Sequence, residues 1–109
     1  MVNVANVDEW KELLRREQSR DSTIEVAKQQ LTSIEQIKRG RFKRFGQMFL
    51  QDDLVVKSGR ILVPNSLKYQ ITRDFHEQDH WGTENTYKNI AAKYYWPNMK
   101  RYVKEYVDS

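Results

Sequence analysis

The hydrophobic period of the chain changes twice, and this limits the folds open to it more than any other feature. From residue 7 to the mid-thirties apolar side chains fall at helical intervals. Between 48 and 63 they come in runs of three, and beyond 65 the helical spacing returns. Strands gathered in the middle and helices at both ends do not read as repeated β-α-β units. The expected class is therefore α+β, with N-terminal helices and a small antiparallel meander followed by a three-helix module.

Val7, Trp10, Leu13 and Leu14 follow Asn6, a residue suited to an N-cap, with Asp8 and Glu9 placed to complement the helix dipole. This predicts a first helix from about Val7 to Glu17. Ser22-Thr23-Ile24-Glu25 has the form of a capping box, and Val26, Ala27, Gln30, Leu31 and Ile34 follow it, so a second helix is expected from Thr23, fraying toward Lys38. Met48-Phe49-Leu50, Leu54-Val55-Val56 and Ile61-Leu62-Val63 read as strands joined by turns at Gln51-Asp52-Asp53 and Lys57-Ser58-Gly59-Arg60. After Pro64, Asn65 or Ser66 can cap a helix whose Leu67, Ile71 and Phe75 share one face. Gly82-Thr83 restarts the chain into a helix with Tyr87, Ile90 and Ala91, which Trp96-Pro97 ends. Asn98 then caps a last helix with Met99, Tyr102, Val103, Tyr106 and Val107 on its apolar side.

The 109 residues amount to one modest domain or two very small ones, and 12% aromatic content is enough to build a core without crosslinks. No apolar run exceeds three residues, against roughly 20 for a bilayer span, so neither a membrane span nor a signal-peptide core is expected. Cysteine is absent, which removes disulfides, thiolate nucleophiles and any all-cysteine zinc site. The formal charge of +4 is uneven: residues 1–37 carry five basic and seven acidic side chains, residues 38–109 fourteen and eight.

Two sets of basic residues stand out. Lys38, Arg39, Arg41, Lys43 and Arg44 fall in one seven-residue run beside Phe42 and Phe45, a composition suited to phosphate contacts and equally to a solvated linker. Lys88, Lys93, Lys100, Arg101 and Lys104 form the second set, in the C-terminal helices. The only histidines, His76 and His80, are spaced H-x3-H, which on a continuous helix puts both imidazoles on one face. Two readings stand for this pair: helix-end histidines that pack or cap, or half of a zinc site, which wants four ligands.

Phe75-His76-Glu77-Gln78-Asp79-His80-Trp81-Gly82-Thr83 is followed by Tyr94-Tyr95-Trp96-Pro97-Asn98-Met99 and then by Val103-Lys104-Glu105-Tyr106-Val107. This arrangement resembles the zinc-binding N-terminal region of retroelement integrases, especially those of gypsy-type retrotransposons. Ile61-Leu62-Val63-Pro64-Asn65-Ser66-Leu67 is similar to the family's approach to its first His. Gln18-Ser19-Arg20-Asp21 resembles a Q-x-x-D helix junction seen upstream in many such proteins.

The resemblance implies that residues 1–64 form an N-terminal extension, with 38–44 as a basic linker, and that 65–109 form an H2C2-type module. It implies His76 and His80 as zinc ligands, completed by a C-x2-C pair that would fall just after Asp108-Ser109. Either that pair follows in a longer protein or the second ligand pair has been lost; without it the zinc site stays incomplete and no stoichiometric zinc is expected. A structural zinc site in finger peptides is worth about 10–16 kcal/mol. Its absence places more weight on packing by Trp81, Tyr94, Tyr95 and Trp96.

The family role implied is noncatalytic. It is to help assemble the integrase multimer on element-end DNA in the nucleus, through both basic sets and contacts with other integrase protomers. The parent would be a strand-transferring integrase within a Pol polyprotein, its catalytic carboxylates in a later domain. No membrane and no small-molecule substrate are expected as partners. Within these residues Asp52, Asp53 and Glu84 are accounted for as turn and cap, and no phosphate loop or nucleophile elbow occurs. A rival reading is an interaction and oligomerisation module left from a domesticated integrase, whose apolar helix faces pair with a partner chain.

Overall fold

A computed structural model describes residues 7–37, 48–79 and 82–109. The elements run α1 (Val7–Arg20), α2 (Ser22–Ile37), β1 (Met48–Gln51), β2 (Leu54–Lys57), β3 (Arg60–Leu62), α3 (Asn65–Asp79), α4 (Thr83–Ala91), β4 (Tyr94–Tyr95) and α5 (Met99–Asp108). This is the mixed α+β arrangement expected from the hydrophobic period. No helix among the described residues is long and apolar enough to cross a membrane.

Both hairpins turn through two residues. Gln51 pairs with Leu54 and Lys57 with Arg60. Asp52 and Asp53 have φ of 53° and 64°, and Ser58 and Gly59 have 53° and 80°. Two successive positive φ values give the turn whose twist matches paired strands, a geometry usually left to Asn-Gly. The Asp pair is held from both helices: Arg15 Nε donates to the Asp52 carbonyl at 3.0 Å, Lys11 lies 3.5 Å from the Asp52 carboxylate, and Lys28 lies 3.7 Å from that of Asp53.

The sheet has the order β1-β2-β3-β4, and its last pairing was not foreseen. Tyr94 and Tyr95 form a short strand parallel to β3, where the sequence suggested only the end of a helix. The Ile61 N–H donates to the Lys93 carbonyl and that of Val63 to the Tyr95 carbonyl, both at 2.9 Å. A parallel pair needs a long crossover, and α3 with α4 supplies it.

Alternation along the strands divides the core in two. Leu54, Ile61 and Tyr94 face a cluster built with Trp10 and Leu14 of α1, Leu67 and Ile71 of α3, Ile90 of α4, and Met99 and Val103 of α5. Val55 and Leu62 face α2, where Ile24 and Leu31 cover them together with Met48, Leu50 and part of Tyr95. The first cluster draws on both sides of position 64, and Trp10 Nε1 donates to the Tyr94 hydroxyl at 3.0 Å. Val7 and Val26, placed on the apolar faces by spacing, are instead 58% and 54% exposed.

The Q-x-x-D segment acquires a physical account. Val55 and Leu62 are the next partners in the β2–β3 register, yet the ladder opens there and the Gln18 carboxamide fills it. Its nitrogen donates to the carbonyls of Val55 (3.1 Å) and Leu62 (2.7 Å), and its oxygen accepts from the Val55 N–H (2.9 Å), with the side chain fully buried. Asp21 serves two helix starts, accepting from the Ile24 N–H at 3.4 Å and the Asn65 N–H at 3.1 Å. The cap of α2 is therefore Asp21, and Ser22 already lies inside the helix, because the shorter reach from Asp21 also satisfies α3. Ser66 Oγ adds a 2.7 Å bond to Glu17.

Candidate metal site and nucleic-acid interface

His76 sits on the last turn of α3, half-buried, at the end where α3 meets α5. Its ring meets Tyr106 edge-on, with centroids 5.6 Å apart at 80°. Tyr69, two turns earlier on α3, meets the same Tyr106 ring at 5.7 Å, so the phenol is seated between the two α3 side chains. Burial first, then the neighbouring Tyr69 and Glu77, push the Tyr106 phenol up from its ordinary value, with Arg73 opposing. Arg73 donates twice to the buried Asp74 carboxylate, at 3.1 Å each, and that bond and charge hold its own pKa above the ordinary value.

Tyr106 is three residues before Ser109, whose N–H and hydroxyl both donate to the Tyr106 carbonyl. The end of α5 is thus turned beside the imidazole of His76. His80, the other expected ligand, lies outside the described residues, as does Trp81. Among the described residues no three His, Cys, Asp or Glu side chains gather as a metal site. They contribute one imidazole, which does not by itself fit a tetrahedral ion.

The expected aromatic packing is present where it is described. Trp96 is 1% exposed, with Tyr102 edge-on at 5.6 Å, and Tyr94 is buried, while Tyr95 remains half-buried. Asn98 occupies the cap position of α5, but through its backbone: φ is 62° and its side chain makes no capping bond.

Lys38, Arg39, Arg41, Lys43 and Arg44 lie outside the described residues. Lys88, Lys93, Lys100, Arg101 and Lys104 are all exposed, but they divide into two groups. On α5, Lys100 pairs with Glu84 (3.2 Å), Arg101 with Glu105 (3.9 Å) and Lys104 with Asp108 (2.6 Å). The Lys104 pKa is held up by its bond to Asp108 and then by that carboxylate's charge. Lys88 and Lys93, at the other end of α4, form no ion pair among the described residues.

Two further cations escaped the sequence reading. Lys57 Nζ and Arg60 Cζ each lie 4.9 Å from the centroid of the Tyr95 ring, and Arg60 Nη1 also donates to the Ala91 carbonyl at 3.2 Å. The only signal was their position flanking a two-residue turn. Their aromatic neighbour is brought to them by β4, which spacing does not reveal.

The segment from the end of β3 through α5 thus joins a histidine at a helix end, an aromatic strand and a closing helix. Residues 63–109 match the integrase zinc binding domain. The matched stretch holds α3, α4, β4 and α5, somewhat less than half of the chain. No curated protein matches the chain. The integrase zinc-binding domain is a noncatalytic type by itself, and in its family it binds zinc. In this chain its core is completed by Trp10, Leu14 and Leu54 from outside the matched stretch.

Proposed function

We propose that the chain is the noncatalytic N-terminal part of a gypsy-type retroelement integrase, acting in the nucleus to assemble the integrase multimer on element-end DNA. The match over residues 63–109 carries this reading, supported by the seating of His76 against the last turn of α5. In a polypeptide with a C-x2-C pair directly after Ser109, His76 and His80 would be the histidine ligands, and the ion would fasten the end of α3 to the segment after α5. Zinc there is structural, holding helices and not reactants. Tyr69, 55% exposed beside Arg73 and Tyr106, offers an aromatic contact for a second protomer at the same end.

The test is metal content by plasma mass spectrometry in a protein extended through such a cysteine pair. One zinc per chain is expected, and its loss in His76→Ala and in His80→Ala. Unchanged zinc in both variants would falsify the ligand assignment.

A further inference from the structure

The positive charge of the C-terminal half is not one surface. On α5 each of the three cations has its own carboxylate, so their field falls off as that of local dipoles. Around the β2–β3 turn and the end of α4, Lys57, Arg60, Lys88 and Lys93 form no ion pair with a carboxylate among the described residues. Lys93 lies between Ala91, whose carbonyl receives Arg60, and Tyr95, against which Lys57 and Arg60 rest.

We propose that this end of the sheet is a phosphate-binding surface, with Lys57 and Arg60 braced on Tyr95 as its anchors and the phosphodiester backbone of duplex nucleic acid as its ligand. The proposal rests on the integrase reading and deepens it, moving the contact from α5 to the β2–β3 hairpin. Two observations favour a polyanion. Both cations are within 5 Å of one ring centroid, so their charges lie within about 10 Å of each other, close enough to meet neighbouring phosphates of a strand, which rise about 3.4 Å apiece along the helix axis. Free Lys and Arg side chains lose rotamer freedom when ordered. Contact with Tyr95 restricts them before a ligand arrives.

A purely structural account covers only part of this. Arg60 complements the C-terminal dipole of α4 through the Ala91 carbonyl. Lys57 has no such duty: among the described residues its ammonium rests on the Tyr95 ring alone. A ring that carries two cations is no platform for a stacked base, so the contact is to backbone and is independent of sequence.

The test measures anisotropy of a short labelled duplex against this chain at several potassium chloride concentrations, for the wild type, Lys57→Gln, Lys57→Gln/Arg60→Gln and Lys100→Gln/Arg101→Gln. Thermal melts check folding, and Lys57→Gln breaks no side-chain hydrogen bond among the described residues. The salt slope should fall by about 1 in Lys57→Gln and about 2 in the hairpin double variant, from about 0.9 per phosphate contact. The double variant should also bind at least tenfold more weakly at low salt, with a smaller loss in the α5 variant. Wild-type slope and affinity in Lys57→Gln and in the hairpin double variant, with loss only in the α5 variant, overturns this surface and leaves the integrase reading standing. No binding by the wild type at low salt overturns the surface and the DNA-holding role together. Equal affinity for polyglutamate overturns the phosphodiester assignment alone.

Discussion

Replacing Gln18 by Ala should unpair three buried backbone groups at once. Three backbone groups depend on that carboxamide: the Val55 N–H, the Val55 carbonyl and the Leu62 carbonyl. A buried group left without a partner costs about 1–3 kcal/mol, so the three together set a range of about 3–9 kcal/mol. The lower half of that range is the expectation, about 3–6 kcal/mol. Val55 and Leu62 stand in register and recover part of the loss by closing toward each other. Domains of this size are stable by about 5–15 kcal/mol, and 1 kcal/mol moves the melting temperature by about 4–8 °C in domains of 60–100 residues. The midpoint should therefore drop by at least about 12 °C, read by circular dichroism.

Gln18→Glu separates hydrogen bonding from volume. Its carboxylate can still accept from the Val55 N–H but faces two carbonyl oxygens, which raises its folded pKa above the unfolded value of about 4.3. The unfolded state then loses its proton first as pH rises, so stability relative to wild type falls between about pH 4.3 and the raised folded value. The variant should regain stability on acidification. A loss below about 1 kcal/mol in Gln18→Ala, with no pH-dependent difference in Gln18→Glu, would refute the clamp.

Asp53→Gly removes a positive φ from a residue with a Cβ and gives up an exposed ion pair worth about 0–1 kcal/mol; a net gain of about 0.5 kcal/mol is expected in urea denaturation. Asp21→Ala uncaps two helices at once and should cost about 1–3 kcal/mol, with Asp21→Asn recovering most of it. Trp10→Phe withdraws the donor to Tyr94, whose phenol is already pushed above 10.0 by burial and drawn back by that bond. The Tyr94 titration should move further up in ultraviolet absorbance. In the wild type the unfolded phenol ionises first, so the contribution of Tyr94 to stability falls as pH rises past about 10.

The elements that depend on neighbours in sequence were legible. Runs such as Leu54-Val55-Val56 and the four-residue spacing of Leu67, Ile71 and Phe75 declare their period locally, and Asp52-Asp53 and Ser58-Gly59 declare their turns. What distance in the chain decides was not legible. Tyr94-Tyr95 is a strand only because β3 offers it an edge, and Gln18 is a core residue only because the ladder opens at Val55 and Leu62. The site divides in the same way. His76 stands at a helix end as its spacing indicated, but the neutralisation of Lys100, Arg101 and Lys104 depends on rotamers and turns of α5 and α4. The pairing of Lys57 and Arg60 over one ring depends on β4.

The parallel addition of β4 also has a consequence for synthesis. Trp10 leaves the ribosome well before its partner Tyr94, which follows 84 positions later. Until β4 emerges, the indole and the face of β2 and β3 that it helps to cover have no finished core to enter. The two hairpins are local and can close early, whereas the last ladder waits for Tyr94 and Tyr95. Trp10 emission should therefore report the final step of folding, and a nascent chain stalled before residue 94 should present a sticky sheet edge for a chaperone to shield.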